Sequence, residues 1–144
     1  MEVYTIGFTK KSAEQFFGLL SAQGIRRLLD VRLNNSSQLA SFAKRDDLAF
    51  FLRKLCTCDY RHLPDFAPTE ALLSAWRAKE IGWPGYEKAY ADLLSERDPA
   101  RSFHAEDFAT PTVLLCSEAE PTYCHRRLAA EYLSRRFHLS AVHL

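Results

Sequence analysis

The sequence predicts an α/β fold, a single layered domain whose mostly parallel central sheet of about four to five strands is flanked by helices. Short β-prone apolar runs alternate with longer amphipathic runs along the chain. The N-terminal segment forms a complete β-α-β pattern, and such units are parallel and right-handed. A chain of 144 residues is also long enough to bury one core.

The N-terminal β-α-β unit runs from "VYTI" at 3–6 to "IRRLLDVR" at 25–32. Ser12 and Gln15 have the spacing of a capping box, and Gly24 stands where a glycine ends a helix. A helix is therefore predicted between two strands.

The segment after Arg32 is polar and rich in turn residues, which predicts a loop able to fold over a ligand. Asp46 or Asp47 is expected to cap the next helix. "CDYRHL" at 58–63 is a short third strand. The buried face of the helix is predicted from its apolar spacing to comprise Leu48, Phe51, Leu52 and Leu55.

The region from 69 to 108 is predicted to be a helical insertion before the fourth strand. Thr69 caps one helix, Pro84 opens another, and the dipeptide Asp98-Pro99 ends it. "TVLLC" at 112–116 is the next strand. A helix over "YCHRRLAAEYLSRRF" and a strand over "SAVHL" follow, which gives the order β-α-β-α-β-α-α-α-β-α-β.

The composition, with 47% hydrophobic and 26% charged residues, is typical of a globular domain and excludes a disordered chain. A net charge of +1 argues against a protein that coats nucleic acid by charge, so nucleic-acid contact would need a local basic patch. The N-terminus lacks a secretory pattern and no apolar run is long enough for a membrane span, so we expect a cytoplasmic protein without a membrane partner. Its four cysteines, Cys56, Cys58, Cys116 and Cys124, are then expected to be reduced.

Polar residues follow three of the predicted strands, and the carboxyl ends of parallel strands are where such sheets bind ligands. Gly7 ends the first strand, Asp30 and Arg32 end the second, and Cys116 and Glu118 follow the fourth. We therefore expect these sequence-distant residues to meet at one edge of the sheet.

The helix after Cys116 adds further candidates. By helical spacing, Cys124 and His125 share the face that points to the sheet. Cys124 or Cys116 is interpreted as a nucleophile or as a buried thiol that fills space. His125 is a general base, an orienting partner or a core polar contact. Arg126 is preferred to Arg127 as an anion ligand at the helix start, because Arg127 has an ion-pair partner four residues on in Glu131.

Cys116, Cys124 and His125 are three possible zinc ligands, and Glu118 is a fourth. Their spacing is not that of a known zinc motif, and adjacent side chains on a helix diverge by about 100°. The pattern therefore favours a site without metal, and the metal site stands as the alternative. The common nucleotide-loop, hydrolase and metalloprotease motifs are missing, and no motif assigns a cofactor.

Four motifs, "YTIGFT", "LLDVR", "CSEAEPTYCHR" and "AVHL", resemble in order and spacing the bacterial domain-of-unknown-function family numbered 488. The resemblance covers nearly the whole chain and implies an intracellular α/β domain with its signature residues at one edge. It also implies a histidine where this chain has Phe8. The site residues that it implies are Asp30, Arg32, Cys116, Glu118, Cys124, His125 and Arg126, with Thr5 and Gly7 as backbone neighbours and Tyr60 as an addition.

Three functions remain as hypotheses. The first is an enzyme that acts on a phosphate- or nucleotide-like anionic small molecule, with Arg32 and Arg126 as anion clamps and Asp30 or Glu118 as general acid or base. The second is a non-catalytic nucleotide or nucleic-acid binding module whose aromatic residues stack a base. The third is a buried ion-pair cluster that pins helix to sheet without a ligand. The aromatic candidates for stacking are Tyr60, Trp83 and Tyr86.

Overall fold

The computed structural model describes residues 1–36 and 41–144 and contains a five-stranded, fully parallel sheet in the order β3-β2-β4-β1-β5. The predicted α/β fold is therefore confirmed. The strands are β1 Glu2–Gly7, β2 Arg27–Asp30, β3 Asp59–His62, β4 Thr112–Cys116 and β5 Ser140–His143. Because β4 lies between β1 and β2, Cys116 pairs with Gly7 on one side and Leu115 pairs with Asp30 on the other.

Five α-helices flank the sheet in the described part of the chain: α1 Ala13–Ala22, α2 Arg45–Phe51, α3 Glu70–Arg77, α4 Trp83–Arg97 and α5 His125–Phe137. Alternate residues of the strands face the two sides. Leu29 and Leu114 pack with α4 and α5, whereas Leu28 and Val113 pack with α1 and α2. None of these helices combines the length and the apolar character needed to cross a membrane.

The capping prediction for α1 is confirmed. The backbone N–H of Gln15 donates to Ser12 Oγ at 3.1 Å, and the backbone N–H of Ser12 donates to Gln15 Oε1 at 2.9 Å. Gly24 follows the helix with φ of +62°, a conformation in which glycine carries no steric cost. These bonds fix where the chain leaves β1 and where it re-enters the sheet as β2.

The capping prediction for α2 is wrong. The N-cap is Lys44, whose side chain makes no capping hydrogen bond. Asp46 and Asp47 lie inside the first turn, where their negative charges interact favourably with the positive end of the helix dipole. Leu48 and Leu52 are buried as expected, but Leu55 is 59% exposed. A π-helical turn over Leu52–Cys56 changes the angular spacing of the side chains, so Leu55 leaves the buried face. Part of the loop predicted as a lid, residues 37–40, lies outside the described residues.

The insertion is helical, as predicted, although it holds two α-helices followed by short 3₁₀ segments rather than three α-helices. Thr69 Oγ1 accepts a hydrogen bond from the Leu72 N–H at 3.1 Å, which confirms the predicted cap of α3. Pro84 is in the first turn of α4, and Asp98, with φ of 44°, ends that helix. The insertion places α3 and α4 beside the carboxyl end of β4.

Candidate active site

The carboxyl ends of β2 and β4 and the start of α5 meet around one cleft of about 130 Å³. His125 Nε2 lies 2.7 Å from the carbonyl oxygen of Val31, which joins α5 directly to the chain between Asp30 and Arg32. The structure thus brings together groups some ninety positions apart, as the strand-end rule predicts. The cleft is lined by Arg32, Cys116, Glu118, Cys124 and His125, together with Ser117, Leu33, Asn34, Pro68 and residues of α3 and α4.

Asp30 and Arg32 form a buried, bidentate ion pair. Arg32 Nε donates to Asp30 Oδ1 and Nη2 donates to Oδ2, both at 2.8 Å, and the side chains are 2% and 0% exposed. The remaining terminal nitrogen, Arg32 Nη1, is buried and has no hydrogen-bond partner in the described part of the chain. A buried donor without a partner is uncommon. Since Arg32 lines the cleft, an anion there could accept this hydrogen bond.

Tyr60 belongs to the same network. Its hydroxyl donates to Asp30 Oδ2 at 2.6 Å and accepts from Asn35 Nδ2 at 3.2 Å. Burial, followed by the hydrogen bond to Asp30, raises the pKa of the Tyr60 phenol, so it remains a donor. On the neighbouring strand, His62 Nε2 lies 2.9 Å from the Arg32 carbonyl oxygen. Sequence reasoning missed Asn35 and His62, because neither lies in a motif.

Replacing Tyr60 by phenylalanine is expected to lower the free energy of unfolding by about 1.5–3 kcal/mol, because the buried Asp30 carboxylate loses a hydrogen-bond donor. Urea unfolding measures the change. Tyr4→Phe is the matched control, since that hydroxyl bonds the exposed Glu2 and its loss is expected to change stability by less than about 0.5 kcal/mol. Equal effects of the two substitutions would contradict a supporting role for Tyr60.

Cys116, Cys124 and His125 form a second, buried cluster in which one sulfur or ring-nitrogen atom of each lies within 4.8 Å of the others. Cys116 Sγ is 3.6 Å from His125 Nδ1 and 3.7 Å from Nε2. A hydrogen bond from the Cys124 thiol, with smaller contributions from the Ser117 backbone and the Arg126 charge, lowers the pKa of Cys116 against the opposing effect of burial. The same hydrogen bond and burial raise the pKa of Cys124, so Cys124 is the harder of the two thiols to deprotonate.

Cys124 is not in the helical turn where the sequence predicts it. It is the N-cap of α5, with extended backbone angles of φ −137° and ψ 137°, and the helix begins at His125. The divergence of about 100° expected for neighbouring helical side chains therefore does not apply. This removes one of the two arguments against a metal site.

Arg126 is fully buried, and both of its terminal nitrogens donate to backbone carbonyls of the loop that follows β4. Nη1 bonds the oxygen of Glu118, and Nη2 bonds that of Ala119 at 3.3 Å. The guanidinium does not line the cleft. Its predicted contact with substrate stays a prediction. In the structure its hydrogen bonds connect α5 to the loop that follows β4. Arg127 pairs with Glu131 at 2.6 Å, as its spacing predicts.

The backbone neighbours on β1 have different surroundings. Gly7 lies directly beneath the same loop, so close that a Cβ there would stand 1.7 Å from the Glu118 carbonyl oxygen. Thr5 is buried and its hydroxyl is 2.6 Å from His143 Nδ1 on β5, away from the residues that line the cleft. Phe8, which replaces the histidine that the resemblance implies, has its ring centroid 5.4 Å from the Arg32 guanidinium carbon. Position 8 thus adjoins the site.

An aromatic wall, defined by Trp76, Trp83, Tyr86 and Tyr123, stands beside the cleft. Trp76, Tyr86 and Tyr123 line it, and Trp83 stacks on Tyr86 with ring centroids 4.9 Å apart. The sequence marked Trp83 and Tyr86 as aromatic candidates but missed Trp76 and Tyr123, which meet them only through the fold. Arg77, also missed, adds an exposed positive charge at the cleft.

A family model described as "Domain of unknown function DUF488" matches residues 12–133 of the chain. This range includes Asp30, Arg32, both cysteines of the cleft and most of α5. Searches of the curated proteins and of the solved structures found no match.

Proposed function

The chain belongs to the DUF488 family, whose name assigns no activity, and we propose that it is an enzyme that acts on a phosphate- or nucleotide-like anionic small molecule. One observation carries the proposal: a single cleft is lined by a buried arginine with an unpartnered N–H and by a thiol 3.6 Å from an imidazole nitrogen. An anion-binding group and a nucleophile with a base beside it are the two parts that such a reaction needs.

Arg32 binds the anionic group in this proposal. Its guanidinium is held by Asp30 on one side and lies over the Phe8 ring on the other, which leaves Nη1 for the ligand. Asp30 is a positioning residue, because both of its oxygens already accept hydrogen bonds from Arg32 and Tyr60. A guanidinium oriented before binding loses little entropy when the ligand arrives.

Cys116 is the nucleophile and His125 its base. As the Cys116 sulfur forms a bond to the electrophilic atom of the substrate, the thiol proton passes to the imidazole. The bond to the leaving group then breaks, and that group departs with the electron pair and takes up the proton. Water or another acceptor attacks the sulfur-bound group in a second step and returns the electron pair to the sulfur. Glu118, exposed at the cleft, is placed to activate the acceptor.

A second candidate function is non-catalytic binding of a nucleotide, and the aromatic wall favours it. Trp76, Tyr86 and Tyr123 line the cleft beside Arg32, so a base could contact rings while its phosphate meets the guanidinium. This candidate requires the anion site and the aromatic wall but no reactive thiol.

In protein kept free of metal by a chelator, iodoacetamide is expected to alkylate Cys116 at least about tenfold faster than Cys58, with the sites mapped by mass spectrometry. Cys116 lines the cleft beside an imidazole, whereas Cys58 is 1% exposed and burial raises its pKa to about 12. Inorganic phosphate or adenosine monophosphate, bound at Arg32, is expected to slow the reaction at Cys116 alone.

The outcomes separate the candidates. Fast alkylation with protection by either anion supports the enzyme. A Cys116 as inert as Cys58 contradicts it, and adenosine monophosphate binding to such a protein, measured by calorimetry, would favour the binding module. A reactive Cys116 thiol that neither phosphate nor adenosine monophosphate protects would contradict the proposal that the substrate is anionic.

A further inference from the structure

We infer that Cys116, Cys124 and His125 bind a zinc ion, with the fourth coordination position facing the cleft. The three residues come from two rigid elements, since Cys116 is the last residue of β4 and His125 is the first of α5. Cys124, the N-cap, completes the set. All three side chains are buried, yet all three line the cleft.

The spacing of the three ligand atoms fits a tetrahedral zinc centre. Zinc lies about 2.3 Å from a thiolate sulfur and about 2.0 Å from an imidazole nitrogen, so the two ligand atoms stand about 3.5 Å apart at a tetrahedral angle. Cys116 Sγ and His125 Nδ1 are 3.6 Å apart. Cys124 Sγ lies within 4.8 Å of Cys116 Sγ and of a ring nitrogen of His125. Small side-chain adjustments suffice to bring the three atoms to one ion.

The histidine is held in the form that a metal ligand needs. Its Nε2 is 2.7 Å from the Val31 carbonyl oxygen, an acceptor that places the ring proton on Nε2. In this tautomer Nδ1 carries the lone pair, and this atom is 3.6 Å from the Cys116 sulfur. Metal-binding histidines almost always donate their other N–H to such a carbonyl or to a carboxylate. The carbonyl therefore supplies an independent observation that points to a ligand on Nδ1.

The chemistry of the donor set selects the metal. Two thiols and one imidazole suit zinc and exclude magnesium and calcium, which require oxygen ligands. Two thiolates also balance the charge of a divalent ion inside a buried cluster. Among the described residues the group has three members rather than the four of a closed structural site. Three protein ligands beside a cleft are the pattern of a zinc site with one position open to water or substrate.

This metal site does not depend on the proposed function. With zinc bound, Cys116 is a ligand, so the covalent route through its sulfur belongs to the metal-free chain. Zinc is therefore expected to protect both Cys116 and Cys124 from iodoacetamide, whereas Cys58 is unaffected.

Chelator-treated protein titrated with zinc alone is expected to bind one ion per chain, counted by native mass spectrometry. Cobalt, used as a spectroscopic substitute, is expected to show the intense visible bands of a tetrahedral thiolate complex. Cys124→Ser is expected to weaken zinc binding by at least about 100-fold, since even the loss of an outer partner costs 10–100-fold. Serine is a preferred N-cap residue, so this variant is expected to fold, which circular dichroism checks.

Cys58→Ser is the matched control and is expected to bind zinc like the unmodified chain. No stoichiometric zinc, an octahedral cobalt spectrum, or equal binding by the two variants would overturn the metal site. The same Cys124→Ser protein keeps Cys116 and His125. A reactive Cys116 in this variant would therefore leave the proposed function standing even if the unmodified chain binds no zinc. In the unmodified chain, a Cys116 that stays inert after chelator treatment, although added zinc binds, would contradict only the proposed function.

Discussion

Asp30→Ala is expected to lower the free energy of unfolding by about 3–5 kcal/mol, measured by urea denaturation. The substitution leaves the Arg32 guanidinium 2% exposed with no carboxylate to balance its charge. It also removes the acceptor of the Tyr60 hydroxyl, whose hydrogen bond of 2.6 Å is made inside the same network. Removing one partner of a buried pair costs far more than the pair contributes, because the other charge stays desolvated.

A matched control for this prediction is Asp92→Ala. Asp92 pairs with Lys88 at 3.1 Å across one helical turn of α4, and the two side chains are 70% and 81% exposed. Solvent screens such a pair, so the loss is expected to be less than about 0.5 kcal/mol. Equal losses at Asp30 and Asp92 would contradict the buried network.

A double variant, Asp30→Leu with Arg32→Met, tests why the pair exists. Replacing both members of a buried ion pair by apolar side chains of similar size is often neutral or stabilising. We expect the double variant to be close to the unmodified chain in stability, and to lose phosphate protection of Cys116 because Arg32 is gone. A double variant as unstable as Asp30→Ala, with protection retained, would instead support the cluster that pins helix to sheet without a ligand.

Local chemistry made much of the fold predictable. The capping box of Ser12, the cap of Thr69 and the apolar strand at 112–116 each depend on neighbours within a few residues, and all three are confirmed. The start of α2 depends on contacts that sequence spacing does not reveal: the Arg45 N–H donates to the carbonyl of Asn35 at 2.7 Å. The π-helical turn that exposes Leu55 leaves no recognisable signature in the sequence either.

The location of the candidate site was predictable from the sequence, whereas the contacts made by its individual residues were not. The rule for strand ends correctly predicts that Asp30 and Cys116 lie at one edge, because it requires only that their strands are parallel members of one sheet. Whether Arg126 meets a ligand or a loop depends on the path of the loop from 117 to 124, which spacing does not give. The helix starts two residues later than predicted, and the earlier start is what supplied the argument that Cys124 and His125 diverge too far to share a metal.

Gly7→Ala is expected to destabilise the chain by about 3 kcal/mol or more, because overpacking against fixed atoms forces backbone shifts. A Cβ at this position would stand 1.7 Å from the Glu118 carbonyl oxygen and 2.2 Å from Arg126 Nη1. Those two atoms are hydrogen-bonded to each other, so the new methyl group can fit only if that bond breaks and the loop moves off β1. The buried Arg126 would then lose an acceptor, which adds its own desolvation cost.

Gly18→Ala is the matched control for Gly7→Ala, since a Cβ at Gly18 meets no atom within 4 Å and the residue lies inside α1. Alanine is the better helix former by about 0.5–1 kcal/mol, so the control is expected to raise the urea midpoint while Gly7→Ala lowers it. Displacement of the loop also moves Ser117 and Glu118 at the cleft, so the alkylation rate of Cys116 is expected to change in Gly7→Ala alone. A Gly7→Ala protein with unchanged stability and an unchanged Cys116 rate would mean that Arg126 does not hold the loop against β1.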